Sequence, residues 1–271
     1  MPEIPDLEGY RSYFNQRLPG RRVEEVEVFI AYVLRSVATD FNSELTGATF
    51  EDLQRVGKYL LFHLSSERCL VVNAMLTGRF QYCEPKERKR ARTVFQLSLD
   101  NGMQLRYSDL RLMGKIYLAG EDEMGLKIPR LRELGPDPLS PELSEEVFLD
   151  RLKAYRGQIK GVLTKEQLVA GIGNAYSDEV LFAAGIHPFR KASELSENDR
   201  KRLYLAVRSV FEWSIPIVRE RMENEGLPTA HYRDHLKVHR RGGQPCPNCG
   251  ATISDIGANE RITSFCRHCQ A

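Results

Sequence analysis

The sequence carries almost no net charge. Its 271 residues include 39 Lys and Arg against 37 Asp and Glu, a formal +2. That excludes a polybasic protein that coats nucleic acid by charge alone, and leaves local basic sites as the electrostatic route to a phosphate backbone. No stretch approaches the roughly 18 apolar residues that a membrane helix requires. The opening Met1-Pro2-Glu3-Ile4-Pro5-Asp6 lacks the basic segment and apolar run of a secretory signal, so a cytoplasmic location is expected. There are no internal repeats and no low-complexity tracts, which excludes a solenoid. What is present is ordinary for a globular chain: 42% hydrophobic and 28% charged residues argue against disorder. The length suits two domains and needs no disulfide staples.

The few cysteines are unevenly placed. Cys69 and Cys83 stand alone and read as small core residues. The other four form Cys246-Pro-Asn-Cys249 and Cys266-Arg-His-Cys269, separated by sixteen residues. Two such knuckles bring four thiolates onto one tetrahedral cation, the pattern of a structural zinc site, one per chain. The rival reading, a pair of disulfides, is disfavoured in a reducing cytosol. Thr252-Ile253 and Ile262 to Phe265 are expected to form a β-hairpin between the knuckles. From Arg233 to Arg267 six basic residues face three acids, and Lys86 to Arg92 holds five bases and one acid. Both stretches are candidates for phosphate contact, and both are also compatible with a solvated surface.

Periodicity divides the rest. Leu7, Tyr10, Phe14 and Leu18 recur at helical spacing over residues 1–20, with Pro5 in the first turn and Pro19-Gly20 as a stop. From Arg21 to about Ala119 short β-type runs follow: Val23 to Phe29, Tyr59 to Leu64, Cys69 to Asn73 and Val94 to Leu99. Asp100-Asn101-Gly102 marks a hairpin turn. Pro129 to Pro141 is rich in Pro and Gly and reads as a linker. Helices follow: one capped by Ser144, one from Asn174 to about Ala184 ending at Gly185, and one from the Ser196 cap until Pro216 perturbs it. The plan is α+β with two domains: an N-terminal helix plus β-sandwich (1–128), a linker (129–143), a helical domain (144–237) and a zinc ribbon (238–271).

Two segments carry chemistry. Gly171-Ile172-Gly173-Asn174 stands directly before a helix, where backbone N–H groups favour a phosphate. It lacks the strand and third glycine of a dinucleotide fingerprint; a helix-turn-helix with phosphate contacts fits better. At the N-terminus, methionine before proline is normally removed, which leaves Pro2 as a free secondary amine. An α-amino group titrates near 7.7–8.0, so part of it is uncharged and nucleophilic at neutral pH. Attack on a sugar C1′ gives an iminium whose neighbouring C–H is acidic, and Glu3 stands beside it to move protons. A start this short is also compatible with an inert terminus.

The combination resembles the formamidopyrimidine-DNA glycosylase / endonuclease VIII family. Pro2-Glu3-Ile4-Pro5-Asp6-Leu7-Glu8 is similar to its Pro-Glu-x-Pro-Glu-x-Glu start, and Val56-Gly57-Lys58-Tyr59-Leu60-Leu61 to its Arg-Gly-Lys-Tyr-Leu segment. Asp109-Leu110-Arg111-Leu112-Met113-Gly114 resembles its Asp-x-Arg-x-Phe-Gly loop. Leu134 to Leu139 looks like its linker, Val169 to Pro188 like its helix–two-turn–helix motif, and Cys246 to Gln270 like its zinc finger. The matches run in order along nearly the whole chain. The resemblance implies a base-excision-repair DNA glycosylase with AP lyase activity, a bacterial nucleoid-associated protein acting as a monomer on double-stranded DNA that holds a damaged base or abasic site. It implies Pro2 as nucleophile and Glu3 as proton shuttle, with Asp6 and Lys58 in the catalytic group. Lys58, Asn174 and Arg261 would grip phosphates, and Arg111 would help fill the void left by a flipped base.

The departures bear on substrate. Asp6 replaces a glutamate. Asn73-Ala74-Met75-Leu76-Thr77-Gly78 stands where the family has His-Leu-x-Met-Ser/Thr-Gly, so Asn73 offers a hydrogen bond but no charge. Leu76 replaces the intercalating methionine, and Met113 the wedge phenylalanine. Val218 to His231 does not resemble the glycine-rich segment that covers 8-oxoguanine, which points away from 8-oxoguanine as main substrate. The competing reading is a catalytically reduced damaged-DNA-binding protein on the same scaffold. A zinc-ribbon transcription module would leave the N-terminal motif unexplained.

Overall fold

Helix α1 (Ile4–Asn15) opens the chain in the computed structural model, which describes all residues except Val37, Asn259, Glu260 and Ala271. Glu3 is its N-cap in extended backbone, and Pro5 lies in the first turn, where a missing N–H leaves no bond unmade. The helix ends before Pro19-Gly20 because Asn15 turns to a strand. Its amide donates to the Leu53 carbonyl at 2.8 Å and accepts from the Leu53 N–H at 2.7 Å.

Two four-stranded antiparallel sheets follow. The first has the order β1 (Val23–Val28), β6 (Thr93–Leu99), β7 (Gln104–Asp109), β5 (Gly78–Cys83). The second runs β2 (Phe50–Val56), β3 (Tyr59–Leu64), β4 (Arg68–Asn73), β8 (Lys115–Gly120). The β-type runs read from the sequence lie on β1, β3, β4 and β6, and Asp100-Asn101-Gly102 turns β6 into β7 with Gly102 at φ 75°. Helices α2 (Ala38–Leu45) and α3 (Glu121–Lys127) complete this part.

One aromatic cluster ties the helix to both sheets. Phe14 of α1, Phe62 of β3 and Phe80 of β5 pack with ring centroids 5.4–5.8 Å apart, and all three are fully buried. Such rings bury large apolar areas, and their mutual contacts add to that burial.

The remaining elements are α4 (Glu145–Leu152), α5 (Ile159–Leu163), α6 (Asn174–Ala184), α7 (Glu197–Glu225), β9 (Ser254–Ala258) and β10 (Arg261–Phe265). Ser144 caps α4 by accepting from the Val147 N–H, and Gly185 ends α6 in the left-handed region at φ 67°, as the sequence predicts. Two expectations are corrected. Helix α7 does not stop at Pro216 but continues to Glu225. Val210, Phe211, Ile215, Val218 and Met222 are buried on both sides of the proline, and that burial outweighs one lost backbone hydrogen bond. The first hairpin strand is Ser254–Ala258, not Thr252-Ile253. Ile253 N–H instead donates to Gln244 O and Cys246 N–H to Ala251 O, so this stretch pairs back onto the first knuckle.

The chain divides into two units, Met1–Arg132 with Val218–His231, and Glu133–Ile217 with Tyr232–Ala271. The end of α7 and the segment after it thus belong with the sandwich, an arrangement that boundaries drawn along the sequence do not express. Among the described residues no helix is long and apolar enough to cross a membrane. Phe62→Ala is expected to cost about 3–5 kcal/mol, read as a lower urea midpoint with unchanged slope.

Candidate catalytic and nucleic-acid-binding sites

In the first unit the N-terminal residues are buried rather than frayed. Pro2, Glu3 and Asp6 are all buried, Glu3 at 3% exposure and Asp6 at 0%. Asp6 Oδ2 accepts from the Glu3 N–H at 2.8 Å, which fixes the backbone at the helix start. Asp6 is thus a capping residue that holds Glu3. His231 Nδ1 lies 3.4 Å from the other Asp6 oxygen.

One turn along α1, Glu8 gathers three guanidinium groups. Its carboxylate accepts from Arg11 at 2.8 and 3.0 Å, from Arg55 Nε at 2.8 Å, and from Arg219. Burial pushes this carboxyl up, but the Arg11 hydrogen bond and the Arg55 charge and hydrogen bond outweigh it and hold it down at about 2. Arg55 also donates to the Gly57 carbonyl at 3.2 Å. Gly57 has φ 55°, which glycine accommodates without strain, and forms the β2–β3 turn that presents Lys58. Glu8 therefore connects the helix that carries Pro2 and Glu3 to the turn that carries Lys58. The sequence shows Glu8 only as the last letter of a motif.

Asn73 ends β4, and its Oδ1 accepts from the Met75 N–H at 3.1 Å, shaping the loop before Leu76. Arg111 and Met113 stand on the β7–β8 loop, both exposed, with Leu110 exposed beside them. This loop is apolar and cationic at its tip, the composition of a wedge that enters a base stack.

In the second unit Asn174 and Arg261 come together through the hairpin backbone. Asn174 begins α6, and its amide donates to the Ile262 carbonyl at 3.0 Å, next to Arg261. Lys160 of α5 donates to the same carbonyl at 2.9 Å and to Thr263 Oγ1 at 3.0 Å, and pairs with Asp178 at 2.7 Å. Asp178 Oδ2 accepts from His239 Nδ1 at 2.7 Å and from the Ser264 N–H at 3.1 Å. Lys160, Asp178, His239 and Ser264 are buried, and their contacts hold β10 against α5 and α6. None of Lys160, Asp178 and His239 stood out in the sequence, because nothing local marks an interior charge whose partners lie 18 and 61 residues away.

The four cysteines converge as the spacing predicts. Their Sγ atoms all lie within 4.8 Å of one another. Cys246 and Cys269 are 3.8 Å apart, Cys249 and Cys266 3.5 Å. Tetrahedral thiolates at about 2.3 Å from zinc would be about 3.8 Å apart, so the donor set fits such an ion. Phe182, Val238 and Ile253 pack around Cys246 and Cys266.

Glu8→Gln removes the buried carboxylate that Arg11, Arg55 and Arg219 share. A loss of about 3 kcal/mol at pH 7 is expected. Because the folded carboxyl is held at about 2 rather than 4.5, the wild-type advantage is full above pH 4.5 and disappears as pH falls toward 2. Paired urea melts of the two proteins from pH 7 to pH 3 measure this convergence.

Family comparison agrees with this geometry. The formamidopyrimidine-DNA glycosylase N-terminal domain matches residues 1–116, the H2TH domain of the same proteins residues 134–224, and the zinc finger found in FPG and IleRS residues 243–271. A formamidopyrimidine-DNA glycosylase of Symbiobacterium thermophilum is 37% identical over 278 residues, covering 100% of this chain and 89% of that protein. One of Moorella thermoacetica is 38% identical, with 94% of each chain covered. Among solved structures, Lactococcus lactis formamidopyrimidine-DNA glycosylase bound non-covalently to DNA with an AP site superposes with a TM-score of 0.88 at 28% identity, over 99% of both chains. The same protein with FAPY-dG-containing DNA gives 0.87 at 27%, again over 99% of both. With its domains in the family's order and relatives above 30% identity along its full length, the chain belongs to the formamidopyrimidine-DNA glycosylase family.

Proposed function

We propose that this DNA glycosylase of base-excision repair removes a damaged base and then cleaves the abasic strand through an imine formed at Pro2. The observation that carries the reading is the buried N-terminus: Pro2 and Glu3 are buried at the head of α1, with the Glu3 backbone held by Asp6. The AP-site and FAPY-dG DNA in the Lactococcus structures supports damage-containing DNA as the partner.

The chemistry follows from those groups. Removal of Met1 frees the Pro2 nitrogen as a secondary amine. Its lone pair attacks C1′ of the extruded nucleotide, the bond to the base breaks with its electron pair leaving on the base, and the proton shed by the Pro2 nitrogen passes to that base, which restores the nitrogen lone pair. Glu3 protonates the ring oxygen as the sugar opens, which gives the iminium. The positive nitrogen acidifies the C2′ proton; its removal expels the 3′ phosphate by β-elimination, and water releases the unsaturated aldehyde. Lys58, Asn174 and Arg261 hold phosphates flanking the site, and Leu76, Arg111 and Met113 occupy the gap in the stack, offsetting the few kcal/mol that unstacking costs.

Cys246, Cys249, Cys266 and Cys269 would hold one structural zinc ion per chain, and so join the two knuckles of the hairpin that presents Arg261. In domain terms, residues 1–128 hold the chemistry, 129–143 link, 144–237 bind DNA through helices, and 238–271 form the finger. The enzyme acts in the cytoplasm, at the nucleoid.

Incubation with an abasic duplex and borohydride should trap a covalent complex. Pro2→Gly, or a form that retains Met1, should abolish it. A panel of duplexes with abasic, 8-oxoguanine, FAPY-dG and oxidised pyrimidine sites then assigns the lesion. Binding without a trapped adduct by protein with a free Pro2 would overturn the catalytic reading and leave a damaged-DNA-binding protein. Metal analysis should give one zinc per chain; stripping it with a chelator should weaken abasic-duplex binding, and restoring zinc should recover it.

A further inference from the structure

Two loops of the sandwich unit carry residues that the function above assigns to the gap in the DNA stack. Leu76 lies between β4 and β5, and Arg111 and Met113 lie between β7 and β8. Each loop also holds a non-glycine residue in the left-handed backbone region, Met75 at φ 46° and Leu112 at φ 52°. An apolar side chain rarely adopts that conformation, and it persists only where surrounding contacts over-determine the loop.

The contacts that do so are visible. Asp109 is fully buried at the end of β7. Its Oδ1 accepts from the Thr77 hydroxyl of the other loop and, at 3.2 Å, from the Arg111 N–H. Its Oδ2 accepts from the Gly114 N–H at 2.6 Å. The Thr77 oxygen accepts in turn from the Arg111 N–H at 2.9 Å. One carboxylate and one hydroxyl thus fix both loops, and the shared donor is the backbone of Arg111 itself. A second point of union lies beneath. Gly78 and Gly114, which close the two loops, both pack on the buried Tyr107 hydroxyl, and a Cβ on either would collide with it.

We infer that Thr77 and Asp109 are positioning residues that fuse the two loops into one preshaped wedge. The wedge is rigid before DNA arrives, so Leu76, Arg111 and Met113 enter the stack together and no ordering cost is met at that step. Thr77 and Asp109 touch no substrate and act through the loops. The inference rests on the proposed function, and it separates two stages. Stack entry in a duplex depends on the clasp, whereas imine chemistry at an abasic sugar without a stack to enter does not.

The test uses a single abasic site placed either in a duplex, with 2-aminopurine opposite, or in a single strand. Thr77→Val keeps shape and removes the hydroxyl. It should slow nicking of the duplex about tenfold and delay the 2-aminopurine fluorescence rise in step, while single-strand nicking stays at the wild-type rate. Thr77→Ser, which restores the hydroxyl, should recover the duplex rate. Asp109→Asn should reproduce the Thr77→Val pattern. Equal loss on both substrates with a lowered melting temperature would mean a merely structural contact and overturn the inference, as would duplex nicking at the wild-type rate by Thr77→Val. A wild-type protein inert on both substrates would instead overturn the enzymatic reading, a result distinct from either.

Discussion

A carboxylate removed from water must be met by donors, and in this chain each of three such groups joins donors from distant segments. Glu8 draws Arg11, Arg55 and Arg219 onto one helix turn. Asp109 draws Thr77 and the Arg111 and Gly114 backbone onto one strand end. Asp178 draws Lys160, His239 and the Ser264 backbone onto α6. Each of the three stands just behind residues assigned to chemistry or to DNA. Side chains proposed to meet DNA are thereby placed by buried groups.

The same arrangement explains how a chain with +2 net charge can hold DNA. Among the described residues Arg55 and Lys160 are held in buried pairs, while other cations sit in exposed pairs at the surface. The basic stretch Lys86 to Arg92 illustrates this. Arg106, 1% exposed, donates to the Pro85 and Glu87 carbonyls and gives the loop a fixed base. Lys86 pairs with Glu84 at 2.7 Å, and Lys89 lies 3.9 Å from Glu27 and 4.2 Å over the Phe29 ring. Exposed pairs of this kind are weak and exchange readily for phosphate.

Local signals carried much of the fold. Ser144, Gly185 and the Asp100-Asn101-Gly102 turn act through backbone chemistry that is complete within a few residues, and the Cys246 to Cys269 spacing fixes a tetrahedral donor set before any tertiary contact is known. The misread features depend on packing. Pro216 breaks an isolated helix, but the buried residues either side keep α7 intact. Thr252-Ile253 alternates like a strand, but the knuckle backbone takes its hydrogen bonds. At the site, Pro2, Glu3 and Lys58 stand out because motif and chemistry coincide. Glu8, Thr77 and Asp109 do not, because a positioning carboxylate or hydroxyl looks like any surface residue until its distant partners are seen.

The account turns on which nitrogen becomes covalent. Borohydride reduction of the complex with an abasic duplex, followed by proteolysis and mass spectrometry of the cross-linked peptide, locates it. The added sugar mass is predicted on the N-terminal peptide at the Pro2 nitrogen, with Met1 absent. An adduct on Lys58 or any other lysine, with Pro2 unmodified, would contradict it.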